Sequence, residues 1–573
     1  MTDRNENLLR DGLTRRSLFG RLTGAAGLVA ATACQSSGTR LAEAAQQPAR
    51  FGWGVASGDP TQSSVIIWTR AVPESAGTSS LEIVYEVSED RSFEKLFASG
   101  MAQTSPARDY TLKVDVVGLE AGKTFFYRFR AGNTYSAIGR TRTLPSDDAR
   151  PVNLALASCA NFPSGYYNAY REMTHIDDLD AIIHVGDYIY EHAAGAYDGA
   201  AGERLERVHR PANEIVTLAD YRERLAQYRE DADLQAAHAH APFITVWDDH
   251  ETANNSWQEG ASGHDTGSEG PWQTRRDAAL QAYFEWLPMR DPAPGQARER
   301  LNRVYDFGSI ASLILIETRL TGRDQQLSYD QDMPTLEDGS PDIESFETDV
   351  LANPDRSMMG HAQEEWFDKA LKQSRQRDMT WQVIANQTVM ARMRTPDFMT
   401  ALPEDIVQPA IEAGGYVSGW LQRSSLGLPA GLDSWDGYPA ARNRFYDSAL
   451  NADANLVVLS GDSHMFWANE LHHPTQDKFV GIEFATGSIT SPGGYGYINN
   501  TPAFYDIVET ALVERNPDVQ HANVRDHGFI HLTLSKDKVQ AKYIGVSTIT
   551  DRNYEANCFL DVSAAPSTGL SES

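Results

Sequence analysis

The sequence predicts an α/β domain that holds most of the chain, preceded by a small all-β domain, and three observations carry that prediction. Residues 51–143 contain short segments rich in β-branched and aromatic residues, with no helical period between them. From residue 152 onward, strand-like apolar runs alternate with longer segments of helical spacing. At 573 residues the chain also exceeds what one ordinary hydrophobic core accommodates.

The elements follow in chain order. Thr14-Arg15-Arg16-Ser17-Leu18-Phe19-Gly20 precedes a short, weakly apolar run over 22–33, the pattern of a twin-arginine export signal. Ala42-Glu43-Ala44 offers a cleavage site, so residues 1–44 are read as a signal peptide. Cys34 offers lipid anchoring as the alternative, which Ala31-Thr32-Ala33 disfavours because the usual leucine is missing. Segments 64–69 (SVIIWT), 81–87 (LEIVYEV), 110–117 (YTLKVDVV) and 124–130 (TFFYRFR) read as strands of an antiparallel sandwich over 48–145. A linker, Leu144-Pro145-Ser146-Asp147-Asp148, leads to the large domain over 150–562. Helices are expected over 218–237, 273–287 and 362–374. Residues 260–270 and 330–355 read as surface excursions, and 563–573 as a disordered tail.

Composition narrows the function. Hydrophobic residues make up 41% and charged residues 23%, the balance of a globular protein, and no run past residue 40 is long enough to span a bilayer. The 79 acidic residues outnumber the 50 Lys and Arg, giving a net charge of −29 that disfavours nucleic-acid and anionic-lipid partners. Beyond Cys34 only Cys159 and Cys558 remain, too few for a disulfide framework, and Cys558 reads as a buried apolar residue. His238, His240, His472 and His473 read as surface or helix-end residues.

Five apolar runs in the large domain end abruptly in chemistry-bearing residues. Segment 152–157 leads to Ser158-Cys159, and 181–185 to Gly186-Asp187-Tyr188-Ile189-Tyr190. Segment 243–247 leads to Asp248-Asp249-His250-Glu251, 381–385 to Asn386-Gln387, and 455–459 to Gly461-Asp462-Ser463-His464. Ligands in open α/β sheets gather at the carboxyl ends of strands, so residues distant in sequence can converge there. Taken singly, each has a bland reading. Gly186-Asp187 reads as a turn, Cys159 as a small buried hydrophobe and Asp462 as a cap. Buried strands do not explain why every run ends in this chemistry.

The order Gly-Asp-x-x-Tyr, Asp-His-Glu, Gly-x-x-His resembles the calcineurin-like metallophosphoesterases. Cys159 stands where those proteins usually open with an aspartate motif, and that departure resembles the PhoD-type alkaline phosphatases. Gly54-Val55-Ala56-Ser57-Gly58-Asp59-Pro60, Trp68-Thr69-Arg70 and Ser488-Ile489-Thr490-Ser491-Pro492-Gly493 extend the resemblance over nearly the whole chain past the signal. It implies a metallophosphoesterase-like β-sandwich flanked by helices, with a fibronectin- or immunoglobulin-like N-terminal domain. It further implies Fe3+ on Cys159, Asp187, Tyr190 and His464, with Asp187 bridging to Ca2+ on Asp249 and Asp462. Asn386 is a weaker candidate ligand, and a second calcium has no ligands that the sequence places.

The function implied is that of a secreted alkaline phosphatase, releasing inorganic phosphate by in-line attack of a metal-activated hydroxide. His250 is the catalytic candidate, as proton donor or phosphate contact, with orientation of Asp249 as its alternative. Arg319 and Arg323 are phosphate clamps by charge alone. The substrates implied are phosphomonoesters and, as an alternative activity on the same metals, phosphodiesters in a phosphodiesterase or phospholipase D-like reaction. A non-catalytic phosphate- or calcium-binding protein is the alternative from another class, and a redox iron site a third. The twin-arginine export machinery is the expected partner, and the periplasm or exterior the expected location.

Overall fold

The computed structural model describes residues 47–75, 77–146, 150–499 and 501–572. The expected signal peptide and Cys34 lie outside the described residues. Two large sheets face one another. In the first, Val152–Ala157 pairs parallel with Ala181–His184, which pairs parallel with Phe243–Thr245. On its other side Val152–Ala157 pairs antiparallel with His527–Leu534, followed by Val539–Val546 and Ala556–Ala564. In the second, Ala311–Leu315, Trp381–Ala385, Leu456–Ser460 and Lys478–Ala485 run parallel. Arg303–Phe307 and Phe466–His473 flank them antiparallel, and Val519–Asn523 closes the sheet.

All five apolar runs are thus strands, three in one sheet and two in the other. Their unbroken hydrophobicity has a plain cause, since a parallel strand covered on both faces buries every residue. The period-2 alternation of strand side chains divides the labour. Val383, Ala385, Val457 and Leu459 face the core between the sheets, together with Leu154, Leu156 and Phe529. Ile384 and Val458, one residue along, face the helices on the outside, where Phe367, Leu371 and Phe445 pack. This is the α/β sandwich flanked by helices that the resemblance implies.

The N-terminal all-β region forms a sheet of Gly139–Arg142, Thr124–Ala131, Leu81–Ser88 and Leu96–Thr104, with the short strand Thr134–Tyr135 at its side. Thr124–Ala131 alternates buried and half-buried positions along its length. Its buried face meets Val55, Val65, Ile67, Leu112 and Val116 from the strands opposite. Those opposing strands do not stand apart from the large domain, because Val55–Gly58 pairs parallel with Phe243–Thr245 through Gly58 and Phe243. A β-carbon at Gly58 would lie 2.4 Å from the Phe243 carbonyl oxygen and 2.5 Å from that of Pro288, so only glycine lets the strands meet. Next in sequence, Asp59 accepts from the Arg303 guanidinium at 2.7 Å and the Tyr305 hydroxyl at 2.8 Å. The Trp68 indole donates to the Glu285 carbonyl at 2.9 Å. The Gly54–Pro60 and Trp68–Arg70 motifs therefore form the seam between the two parts.

Helices Trp272–Trp286 and His361–Gln376 lie where the sequence predicts. The predicted helix over 218–237 is two. Leu218–Tyr228 opens on a Thr217–Asp220 capping box, and Ala232–His240 is capped by the Asp231 carboxylate. Residues 330–355 carry short helical segments, and Phe346 and Leu351 pack on Leu428 and Leu432 instead of lying idle on the surface. The tail also differs from expectation. Ser571–Glu572 pairs with Val562 and Ser563, extending the first sheet. Cys558 is exposed, not buried, in the outward half of Ala556–Ala564. His238 is buried against Phe243, and His472 and His473 end a strand. Among the described residues no helix is long and apolar enough to cross a membrane.

Candidate metal centre

Four of the predicted ligands sit just past the ends of parallel strands in the left-handed region of backbone space. Cys159 has φ 60°, Asp187 56°, Asp462 61° and His464 59°. That conformation costs a residue with a β-carbon about 1–3 kcal/mol, and proteins keep such strain where function over-determines the geometry. The loops are tied to one another. The Cys159 N–H donates to the Gly186 carbonyl at 3.2 Å and the Ala160 N–H to that of Asp187 at 2.9 Å. Gly186 has φ 114°, and a β-carbon there would lie 2.3 Å from Cβ of Asp248. Glu251 joins the same loops, accepting the N–H groups of Asp187 at 3.0 Å and Asp248 at 2.8 Å, and that of Tyr188.

The side chains converge as two linked groups. Ligand atoms of Cys159, Asp187 and His464 lie within 4.8 Å of one another, as do those of Asp248, Asp249 and Asp462. Asp187, Asp249 and His250 make a third such set between them. The Tyr190 hydroxyl joins the first group, 3.0 Å from Asp187 Oδ2 and 3.1 Å from His464 Nε2. His464 is held by its other nitrogen, 2.9 Å from the Pro492 carbonyl, and the Ser491 hydroxyl donates to Tyr190 at 2.7 Å. The Ser488–Gly493 motif is thus a wall that aims two donors. Asn386 stands apart from this pattern. Its carboxamide oxygen accepts the Trp435 indole N–H at 3.0 Å and its nitrogen donates to Ser460 at 3.1 Å, so its hydrogen bonds are spent on packing the second sheet.

Electrostatics test whether these residues fit cations. Burial, reinforced by Asp187, pushes the Cys159 thiol and the Tyr190 phenol well above their usual ranges, and burial raises Asp187 likewise. Asp187 Oδ1 and Asp248 Oδ2 are buried without a hydrogen-bond partner. A carboxylate so placed is costly unless a charge compensates it. The thiol, phenol, imidazole and carboxylates on one side, and carboxylates alone on the other, therefore fit two cations sharing Asp187.

Two protein cations border the cluster. His250 Nδ1 lies 2.6 Å from Glu191 Oε2, and its ring centre is 4.2 Å from that of Tyr190. Burial opposes its charge, but Glu191, Asp249 and Asp187 outweigh burial and hold the imidazolium well above the usual histidine range. Arg319 is fully buried, bonds Asp248 through Nε, and reaches Asp433 at 2.7 Å and Asp462 at 3.4 Å.

The model of the PhoD-like phosphatase family matches residues 154–543, and that of the PhoD-like phosphatase N-terminal domain matches 34–145. The chain belongs to the PhoD-like phosphatase family. It is 33% identical over 518 residues to alkaline phosphatase D of Bacillus subtilis, covering 87% of this chain and 78% of that protein. It superposes on a solved structure of PhoD with a TM-score of 0.75 at 32% identity, covering 92% of each chain. The chain is accordingly a phosphoric ester hydrolase of the alkaline phosphatase kind.

In this PhoD-like phosphatase the structure adds residues that strand-end reasoning passed over. Arg319 follows a sixth apolar strand, Ala311–Leu315, whose run ends in Glu317-Thr318-Arg319, the same signal as in the other five. Glu191 and Glu251 lie inside recognised motifs, but a partner far away in sequence gives each its work. Asp433 and Tyr197 carry no sequence signal, since both sit in irregular segments.

Proposed function

We propose that this PhoD-like phosphatase hydrolyses phosphoesters at a dinuclear centre, with Fe3+ held by Cys159, Asp187, Tyr190 and His464 and Ca2+ by Asp187, Asp249 and Asp462. The observation that carries the reading is the convergence of strained, strand-end donors around buried carboxylate oxygens with no partner. Phenolate and carboxylate favour a trivalent transition metal, thiolate and imidazole beside them disfavour Mg2+ or Ca2+ there, and carboxylates alone favour a hard cation. Bound there, the metals would supply Lewis acidity and lower the pKa of a water.

The chain's own groups do the rest. Glu191 holds His250 by Nδ1, which leaves Nε2 to pass a proton to the departing alkoxide. Arg319 spreads one buried positive charge over Asp248, Asp433 and Asp462, limiting their repulsion and keeping the loops aligned. The clustered rings of Tyr190, Tyr197 and His250 shield one side from water.

Purified protein is expected to hydrolyse a chromogenic phosphomonoester, to lose turnover on chelation, and to carry both iron and calcium by metal analysis. A phosphodiester measured in parallel sets the preference between ester classes. No turnover in metal-replete protein would overturn the enzyme reading. Export by the twin-arginine route belongs to the same proposal. Replacing Arg15 and Arg16 by Lys is expected to retain activity in the cytoplasmic fraction, and unchanged fractionation would reject that route.

A further inference from the structure

A cleft of about 470 Å³ opens beside the metal centre, on the Asp249–Asp462 side. It begins at Asn255, whose N–H is 2.6 Å from Asp249 Oδ2, and at Asp433, which accepts from both Arg319 and Arg323. Its described lining includes none of the proposed metal ligands, nor His250, so it meets the centre only through Asn255 and Asp433, the neighbours of Asp249 and Arg319. The walls mix polar side chains with apolar ones such as Trp420, Leu428 and Leu432. Gln326 is pinned by its nitrogen, 3.2 Å from the Asn255 carbonyl and 3.0 Å from the Ser262 hydroxyl. Its oxygen is buried and has no partner. A buried acceptor left open in this way carries a cost that a donor brought within reach would relieve.

Arg423 is the one Lys, Arg or His among the described residues of the lining. The ion pair it makes is long, 3.7 Å to Asp330, whose carboxylate is 83% exposed. A pair so open to solvent holds a guanidinium weakly, and an anion arriving in the cleft competes for it well. On a chain of net charge −29, one cation in a cleft that borders the neighbours of Asp249 and Arg319 is a selective feature.

We propose that this cleft is the subsite for the alcohol half of the substrate, selecting a hydroxylated leaving group that carries a second anionic group. Arg423 binds the distal anion and Gln326 accepts a hydroxyl between it and the phosphorus. The assignment rests on the phosphoester hydrolysis proposed above. In that reaction the P–O ester bond breaks, water gives its hydroxyl to phosphorus, and the alcohol takes a proton; Arg423 and Gln326 take part in no bond change.

The test compares kcat/KM for sorbitol 6-phosphate, 6-phosphogluconate, 1,6-hexanediol bisphosphate and p-nitrophenyl phosphate on metal-replete enzyme. The first two differ by a distal carboxylate, and the third presents a distal phosphate without hydroxyls. The enzyme is expected to prefer at least one distal-anion substrate over sorbitol 6-phosphate by tenfold or more. Arg423→Gln is expected to lower the ratio of that substrate to p-nitrophenyl phosphate tenfold through KM, with Arg423→Lys recovering part of it. Gln326→Leu is expected to lower the ratio of sorbitol 6-phosphate to p-nitrophenyl phosphate. No preference in the unaltered enzyme, or an equal fall on every substrate in Arg423→Gln, would overturn the subsite. Failure to turn over even p-nitrophenyl phosphate would overturn the hydrolase reading beneath it.

Discussion

At the scale of single residues, the centre shows how one position can be read from sequence while its role is decided by a distant partner. His250 follows Asp249 directly and is legible as a proton donor or phosphate contact beside the metal motif, with orientation of Asp249 as the alternative. Its Nδ1 contact to Glu191 supports the proton-transfer role proposed above, because a ring held by a carboxylate is oriented for it, whereas Asp249 is steadied by backbone N–H groups of His250 and Asn255. His250→Asn is therefore expected to lower kcat by about 10²–10⁴-fold with iron and calcium content retained. Glu191→Gln is expected to lower it less, by roughly tenfold, since the histidine stays but loses its orienting charge. Steady-state kinetics paired with metal analysis reads both. Lost metal in His250→Asn would mean that the residue acts through Asp249. Asn386 makes the converse point, because a polar residue at a strand end carries the same sequence signal whether it faces a site or, as here, an indole.

At the scale of elements, legibility follows burial. The parallel strands stood out because they are covered on both faces and so stay apolar throughout, and Thr124–Ala131 because one face only is covered. Val55–Gly58 and Leu96–Thr104 did not stand out. Small residues and glycine fill the first, because two backbones meet there, and most positions of the second lie near solvent, so it lacks a buried alternating face. The loops after the strands depend on Glu251, which no periodicity could reveal. One carboxylate satisfies three backbone N–H groups from the two loops that present Asp187 and Asp249. Glu251→Gln removes an acceptor and sets an amide N–H against a backbone donor, at a cost of roughly 2–4 kcal/mol. The expected outcome is a lower melting temperature in chelated protein, together with loss of metal. A variant as stable as the parent that still binds both metals would remove Glu251 from the framework of the site.

At the scale of the whole molecule, the site is built across a sandwich whose interior holds neutral histidines, and that ties global stability to pH. His184 lies fully buried on a central strand with Nε2 2.8 Å from the Tyr170 hydroxyl, and His238 is paired in the same way with Tyr188 at 2.8 Å. Burial depresses His184 to about 3 and holds His238 well below its usual range. The unfolded chain takes up a proton at each histidine once the pH falls below about 6.5, while the folded protein does not take one at His184 until about 3. The unfolded state thus binds more protons in that window, so stability is full above about 6.5 and falls as the pH drops toward 3. The slope is about 1.4 kcal/mol per pH unit for each such histidine. Acidic partners elsewhere add their own pH dependence, which a variant comparison cancels. His184→Gln keeps a group able to meet the Tyr170 hydroxyl but cannot be protonated. It is expected to be less stable than the parent at pH 7.5 and to lose less between pH 6 and pH 4.5, with the difference in slope near one proton. Chemical denaturation of chelated protein at several pH values measures this, and parallel curves for parent and variant would show that His184 is charged inside the fold.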